Sequence, residues 1–244
     1  MGRIARASVF VNHTLPDVEI LSPADGAKYS TAAATSFTLT RSITESPGHP
    51  TTTQWRVFLH HNEHEHAEPP VSATTTTVLL PAASSATETY YYRIQLTVTD
   101  DLGATVQREV RLYPNTPAEQ WTLTHFGANP NPATAAFTAN PDRDQWVNLL
   151  EYALAHDPLI ADSGGIVVDL ETVGASKYLR LTLARNPAAT DLQFSIEVTG
   201  DLKTPASWSA LGTTIETDTP TTLRARDNTP AATPRHIRLK VTLP

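Results

Sequence analysis

Short runs in which apolar and polar residues alternate, closed by proline, glycine or aspartate, recur along most of this chain. A two-residue period turns one face of an extended segment inward and the other outward, so such runs form half-buried strands. The clearest spans Tyr91 to Thr99, with Ile94, Leu96 and Val98 on one face and Arg93, Gln95 and Thr97 on the other. Asp100-Asp101-Leu102-Gly103 is a turn, and Thr105 to Leu112 returns as the partner strand. Composition points the same way: 37 threonines and 19 prolines against 10 glycines favour strands and turns over helices.

Between Asp17 and Pro114, Val18 to Ile20, Ser36 to Thr40, Gln54 to Leu59 and Thr76 to Leu80 join these two strands. About seven short strands in about 100 residues predict an immunoglobulin-like sandwich. Tyr113-Pro114-Asn115-Thr116-Pro117 breaks the pattern, and residues 119–127 read as a helical turn or two ending at Gly127. The strongest helix runs from Val147 to Ala155, where Leu149, Leu150, Ala153 and Leu154 form an apolar stripe. Alternation resumes at Tyr178–Leu183, Gln193–Val198, Thr222–Arg226 and His236–Val241. The expected fold is mostly β, with two β-sandwich domains. Residues 1–14 read as the last strand of an upstream domain and 15–114 as the first sandwich. Residues 115–160 read as a linker with a loop and short helix, and 161–244 as the second sandwich.

Several function classes are excluded. The chain has no cysteine, so disulfides, thiolate zinc sites, iron–sulfur clusters and cysteine nucleophiles are out. A formal net charge of -7 argues against tracking nucleic-acid phosphates. No stretch approaches the roughly 18 apolar residues of a membrane span. Met1 to Val11 lacks the apolar core of a signal peptide, so a secreted or periplasmic chain of this composition is expected to have lost its signal or to be the tail of a longer protein. There is no G-x-S-x-G, glycine-rich phosphate loop or helical H-E-x-x-H. Asp100-Asp101 and Asp17 with Asp25 read as turn formers.

Two clusters carry chemistry. Residues 140–151 place oxygen-bearing side chains at positions 1, 3, 5, 9 and 12 of a 12-residue loop, the ligand spacing of an EF-hand. Calcium takes six to eight hard oxygens, and alternate loop residues with a carboxylate one helical turn later supply them. Asn140, Asp142, Asp144 and Asn148 would bind through side chains, Trp146 through its carbonyl, and Glu151 as the bidentate closer. Asparagine at position 1 and Gln145 in place of glycine at position 6 point to a loose structural site, with Kd about 10⁻⁴ M or weaker. Such an ion would set the angle between the sandwiches. The alternative is a polar segment whose acids favour the helix dipole.

The second cluster is His60, His61, His64 and His66, followed by Pro69-Pro70. Neutral imidazoles suit zinc, copper or nickel, and His64 and His66 share one face of a strand. Glu63, Glu65 and Glu68 would orient the rings or add oxygens. The alternatives are a solvated polar loop, a ligand-contacting loop and a metal-dependent catalytic site. Tyr90, Tyr91, Tyr92, Trp121, Trp146 and Trp208 are candidates for stacking on sugar, with core packing as the competing role.

Ile20 to Gly26, Trp55 to Asn62 with His64 and His66, and Tyr92 to Asp100 together resemble the immunoglobulin-like or PKD-like domain that follows the propeller of bacterial glucose/sorbosone dehydrogenase-type proteins. Ala139 to Pro158 resembles the aspartate-rich calcium segment of secreted proteins of Verrucomicrobia-like bacteria; Asn148, Glu151 to Leu154 and Asp157-Pro158 match, and Asn140 and Gln145 depart. Residues 178–244 are similar to the β-rich domain that follows it. The resemblance implies a non-catalytic accessory region, secreted or periplasmic. Its partners would be an upstream catalytic domain or larger secreted protein, and polysaccharide. No dehydrogenase activity is implied, because the quinone-dependent propeller is missing.

Overall fold

The structure, a computed structural model, describes residues 14–45, 48–85 and 88–244. Apart from Thr14, the strand expected over residues 1–14 lies outside them. The fold is mostly β and divides into two compact units, the first ending at Asn115 and the second running from Thr116 to Pro244.

The first unit contains β1 (Asp17–Ser22), β2 (Lys28–Tyr29), β3 (Thr35–Thr44), β4 (Thr51–His61), β5 (His64–Ala67), β6 (Thr76–Leu80), β7 (Tyr90–Asp100) and β8 (Thr105–Pro114). They form a three-stranded sheet ordered β1-β3-β6 and a five-stranded sheet ordered β2-β8-β7-β4-β5. Among the described residues only the short β2–β8 pairing is parallel. Alternation in β7 works as expected: Tyr92, Ile94, Leu96 and Val98 are buried while Arg93, Gln95 and Thr97 are not. Val18, Leu39 and Leu80 of one sheet meet Trp55, Val57, Ile94, Leu96 and Leu112 of the other in one core. Asp100 ends β7 and its Oδ1 accepts from the N–H groups of Leu102 and Ala104, which closes the expected turn.

The second unit contains α1 (Pro117–Phe126), α2 (Pro132–Ala135), α3 (Asn148–Leu154), β9 (Ile166–Val173), β10 (Ser176–Ala184), β11 (Gln193–Thr199), β12 (Thr213–Thr219), β13 (Thr222–Asp227) and β14 (His236–Thr242). A four-stranded sheet, β12-β13-β10-β9, and a two-stranded sheet, β11-β14, share a core of Leu181, Leu183, Ile196, Leu223 and Ala225. Leu154 of α3 packs into that core. A second cluster joins Ala118 and Trp121 of α1 to Tyr152 of α3 and Ala189. The segment 115–160, read from sequence as a linker, thus contributes side chains to the core of this unit.

α1 has a strong start signal. The Thr116 hydroxyl accepts from the Glu119 N–H and the Glu119 carboxylate accepts from the Thr116 N–H, a capping box with Pro117 at the first helical position. One carboxylate ties α1 to α3: Asp191 accepts from the Ala118 N–H at 2.9 Å and from the Tyr152 hydroxyl at 2.5 Å.

Candidate metal centre

The loop before α3 is held by its own side chains. Asn140 Oδ1 accepts from the Arg143 N–H, and Asn140 Nδ2 donates to the Asp144 carbonyl. Asp142 Oδ1 accepts from the Asp144 N–H, and Asp144 Oδ1 from the Trp146 N–H. These are Asx-type turns, which the Asn/Asp spacing favours. The left-handed residue is Arg143, with φ 65°, and Gln145 is not among the positive-φ residues. The loop therefore makes its tight bend two residues before the position an EF-hand reserves for glycine.

This backbone brings Asp142, Asp144 and Glu151 together, with one carboxylate oxygen of each within 4.8 Å of the others. Oxygens bound to one calcium at about 2.4 Å lie no more than about 4.8 Å apart, so the spacing fits a single ion. Among the described residues no other group of three histidine, aspartate or glutamate side chains converges this closely. Glu151 is 0% exposed, and both of its carboxylate oxygens are buried without a hydrogen-bond partner. Asp142 Oδ2 and Asn148 Oδ1 are likewise enclosed and unpartnered. Asn148, also fully buried, is anchored because its Nδ2 donates to the carbonyls of Thr134 and Ala136.

Buried acceptors without donors are rare because each forfeits its hydration. Here burial pushes the Glu151 carboxyl up to about 7, and the negative charges of Asp142, Asp144, Asp162 and Asp157 push the same way. An all-oxygen cluster of this charge suits a hard divalent cation, whose binding would satisfy these acceptors. The residues fit calcium. One of the six expected ligands has another visible role: the Asn140 side chain ties the loop.

Sequence reasoning missed Asp162 and His156. The Asp162 N–H donates to Asp144 Oδ2, and its carboxylate lies 2.8 Å from His156 Nδ1. Neither belongs to the 12-residue pattern; the folding-back of the chain after α3 brings them in.

The histidines divide by strand parity. β4 and β5 form a hairpin in which His61 faces His64, His60 faces Glu65 and Leu59 faces His66. His61, His64 and His66 therefore share one face, and His60 lies on the other. His61 Nε2 is 2.9 Å from His66 Nε2, and their rings stack at 5.0 Å. The His64 ring is 5.6 Å from that of His61. His60 stacks on Tyr91 at 4.4 Å. Glu65 is taken by Arg93 and Glu63 and Glu68 are exposed. His64 and His66 are exposed, so the hairpin is a surface feature.

The aromatic candidates separate too. Tyr92 and Trp121 are buried in cores, whereas Tyr90, Tyr91, Trp146 and Trp208 are partly exposed. The outer face of the five-stranded sheet carries Tyr91, Tyr113 and His60, with the Arg111 guanidinium 5.5 Å from the Tyr91 ring. On the same face Arg93 lies 4.0 Å over Phe58 and pairs with Glu65 and Glu109.

No protein-family model matches this chain, and no curated protein matches it in sequence. Solved structures give distant matches. The sporulation control protein Spo0M from Bacillus subtilis has a TM-score of 0.30 and 9% identity, over 70% of this chain and 66% of that one. The plexin A4 extracellular region has a TM-score of 0.26 and 11% identity, over 85% and 22%. The Bacteroides ovatus protein SGBP-B, solved with a mixed-linkage heptasaccharide, has a TM-score of 0.24 and 13% identity, over 85% and 60%. The chain thus spans just under two thirds of the first of these and a smaller share of the others.

Proposed function

We propose that this chain is a non-catalytic extracellular or periplasmic accessory module. A structural calcium ion stiffens its second unit, and its work is spacing, adhesion or carbohydrate contact for a larger secreted protein. The observation that carries the calcium reading is the fully buried Glu151 carboxylate, unpartnered at both oxygens and facing Asp142 and Asp144. An ion there would bind through Asp142, Asp144 and Glu151, with the Asn148 carbonyl oxygen beside them. It would clamp the loop to the start of α3, whose Leu154 sits in the core. The role is structural because the cluster includes its own buried closer.

The contact reading rests on the outer face of the five-stranded sheet. A strand surface bearing Tyr91, Tyr113 and His60 beside Arg111 offers rings for stacking and a guanidinium for hydroxyls.

Calorimetric titration of the calcium-stripped protein tests the first part. Heat for about one ion per chain, removed by Glu151→Ala, is expected. No heat and no melting shift at millimolar calcium would end it. Glycan-array binding that Tyr91→Ala abolishes is expected for the second part.

A further inference from the structure

We propose that the β4–β5 hairpin is a binding site for a late transition-metal ion, copper(II) foremost, held by Nε2 of His61 and Nε2 of His66. The site is set by backbone register. His61 and His64 are directly cross-strand neighbours, and His66 lies two residues further along the same face. The two-residue turn Asn62-Glu63, with Asn62 at φ 50°, pins that register. Asn62 is itself anchored, its Nδ2 donating to Glu88 and its Oδ1 accepting from the Thr89 N–H. The ring of Tyr90 covers His61 from the other side at 5.5 Å.

The affinity order of nitrogen sites selects the metal. Two nitrogens bound at about 2.0 Å are about 2.8 Å apart at adjacent corners of a square plane and about 3.3 Å apart on a tetrahedron. The observed separation, set by the hydrogen bond between the two rings, is 2.9 Å and brings both nitrogens within reach of one ion in either arrangement. Square-planar nitrogen sites belong to copper(II) or nickel(II), and copper stands at the top of the affinity order. In the ion-free protein one Nε2 carries the proton that the other accepts. On metal binding that proton moves to Nδ1 of the donating ring, both Nε2 lone pairs go to the ion, and no redox change occurs. His61 Nδ1 is enclosed and unpartnered, so Nε2 is the nitrogen this ring presents to a ligand.

His60 supplies the internal control. It belongs to the same histidine-rich stretch but lies on the opposite face against Tyr91. The experiment uses the full chain made without a histidine tag, titrated with copper(II) chloride and followed by calorimetry and electron paramagnetic resonance. One ion per chain is expected, with an axial signal split by nitrogen. His61→Ala and His66→Gln are each expected to weaken binding at least about tenfold, and His60→Ala to leave it unchanged. Circular dichroism of each variant checks the fold, and His66→Gln, on an exposed short strand, keeps the test valid if His61→Ala unfolds. Equal loss in His60→Ala would overturn the site as drawn, because it would make binding a property of histidine content. Absence of stoichiometric copper, or tighter binding of zinc sulfate than of copper, would also overturn it.

Discussion

Glu151 shows how much one side chain depends on what surrounds it. Its carboxyl, ordinarily near 4.5, is pushed up to about 7 by burial and by neighbouring aspartates. The folded state therefore holds this proton more tightly than the unfolded chain does. Its contribution to stability is present below about pH 4.5 and is lost as pH rises through about 7, a loss of about 3 kcal/mol. Calcium-free protein should accordingly melt at a lower temperature at pH 8 than at pH 5.5. Calcium should raise the melting temperature strongly at pH 8 and little at pH 5.5. Glu151→Gln should melt higher than the unsubstituted protein at pH 8 without calcium, and should lose the calcium response. Scanning calorimetry at the two pH values reads all three, and a calcium response surviving in Glu151→Gln would contradict the assignment.

At the scale of elements, the helices of the second unit hang on few contacts. α3 is only seven residues long, too short to be stable by propensity alone. It is held by Tyr152 and Leu154 in two cores and by Asp191, which accepts from both α1 and the Tyr152 hydroxyl. Asp191→Ala strands the Ala118 N–H and the Tyr152 hydroxyl, and should cost about 2–4 kcal/mol in urea unfolding. In the first unit, Trp55 is 1% exposed at the centre of its core and its indole N–H donates to the Ala73 carbonyl. Trp55→Ala should cost about 3–5 kcal/mol by the same measurement, through the cavity it leaves. Strand alternation announced β7, β8, β10, β11, β13 and β14. β9 and β12 gave no such signal, because these strands flank the second unit's four-stranded sheet and expose Val167, Val168, Leu170 and Ile215. An edge strand with apolar residues on its open side has no clean inward–outward period.

For the whole molecule, the described buried clusters each fall within one unit. Two calorimetric transitions are therefore expected, and calcium should raise only the one that Asp191→Ala lowers. A single transition moved by both Trp55→Ala and calcium would contradict this. The acidic cluster lies entirely in the second unit, so the ion's expected work is within that unit rather than at a hinge.

By itself the sequence determined what depends on local period and local chemistry. That covers the mostly β class, the turn at Asp100, the helix beginning near Asn148 and the spacing that gathers Asp142, Asp144 and Glu151. Strand period is local, and at the turn, the helix and the acidic loop the partners belong to one short segment, so local backbone geometry brings them together. Only the tertiary structure decided that the segment with the helices joins a core. It alone buried Glu151 without a donor, brought Asp162 and His156 to the loop, and set His61 beside His66 across the β4–β5 hairpin. Burial and cross-strand register arise from residues distant in the chain, and no local pattern encodes which of them will meet.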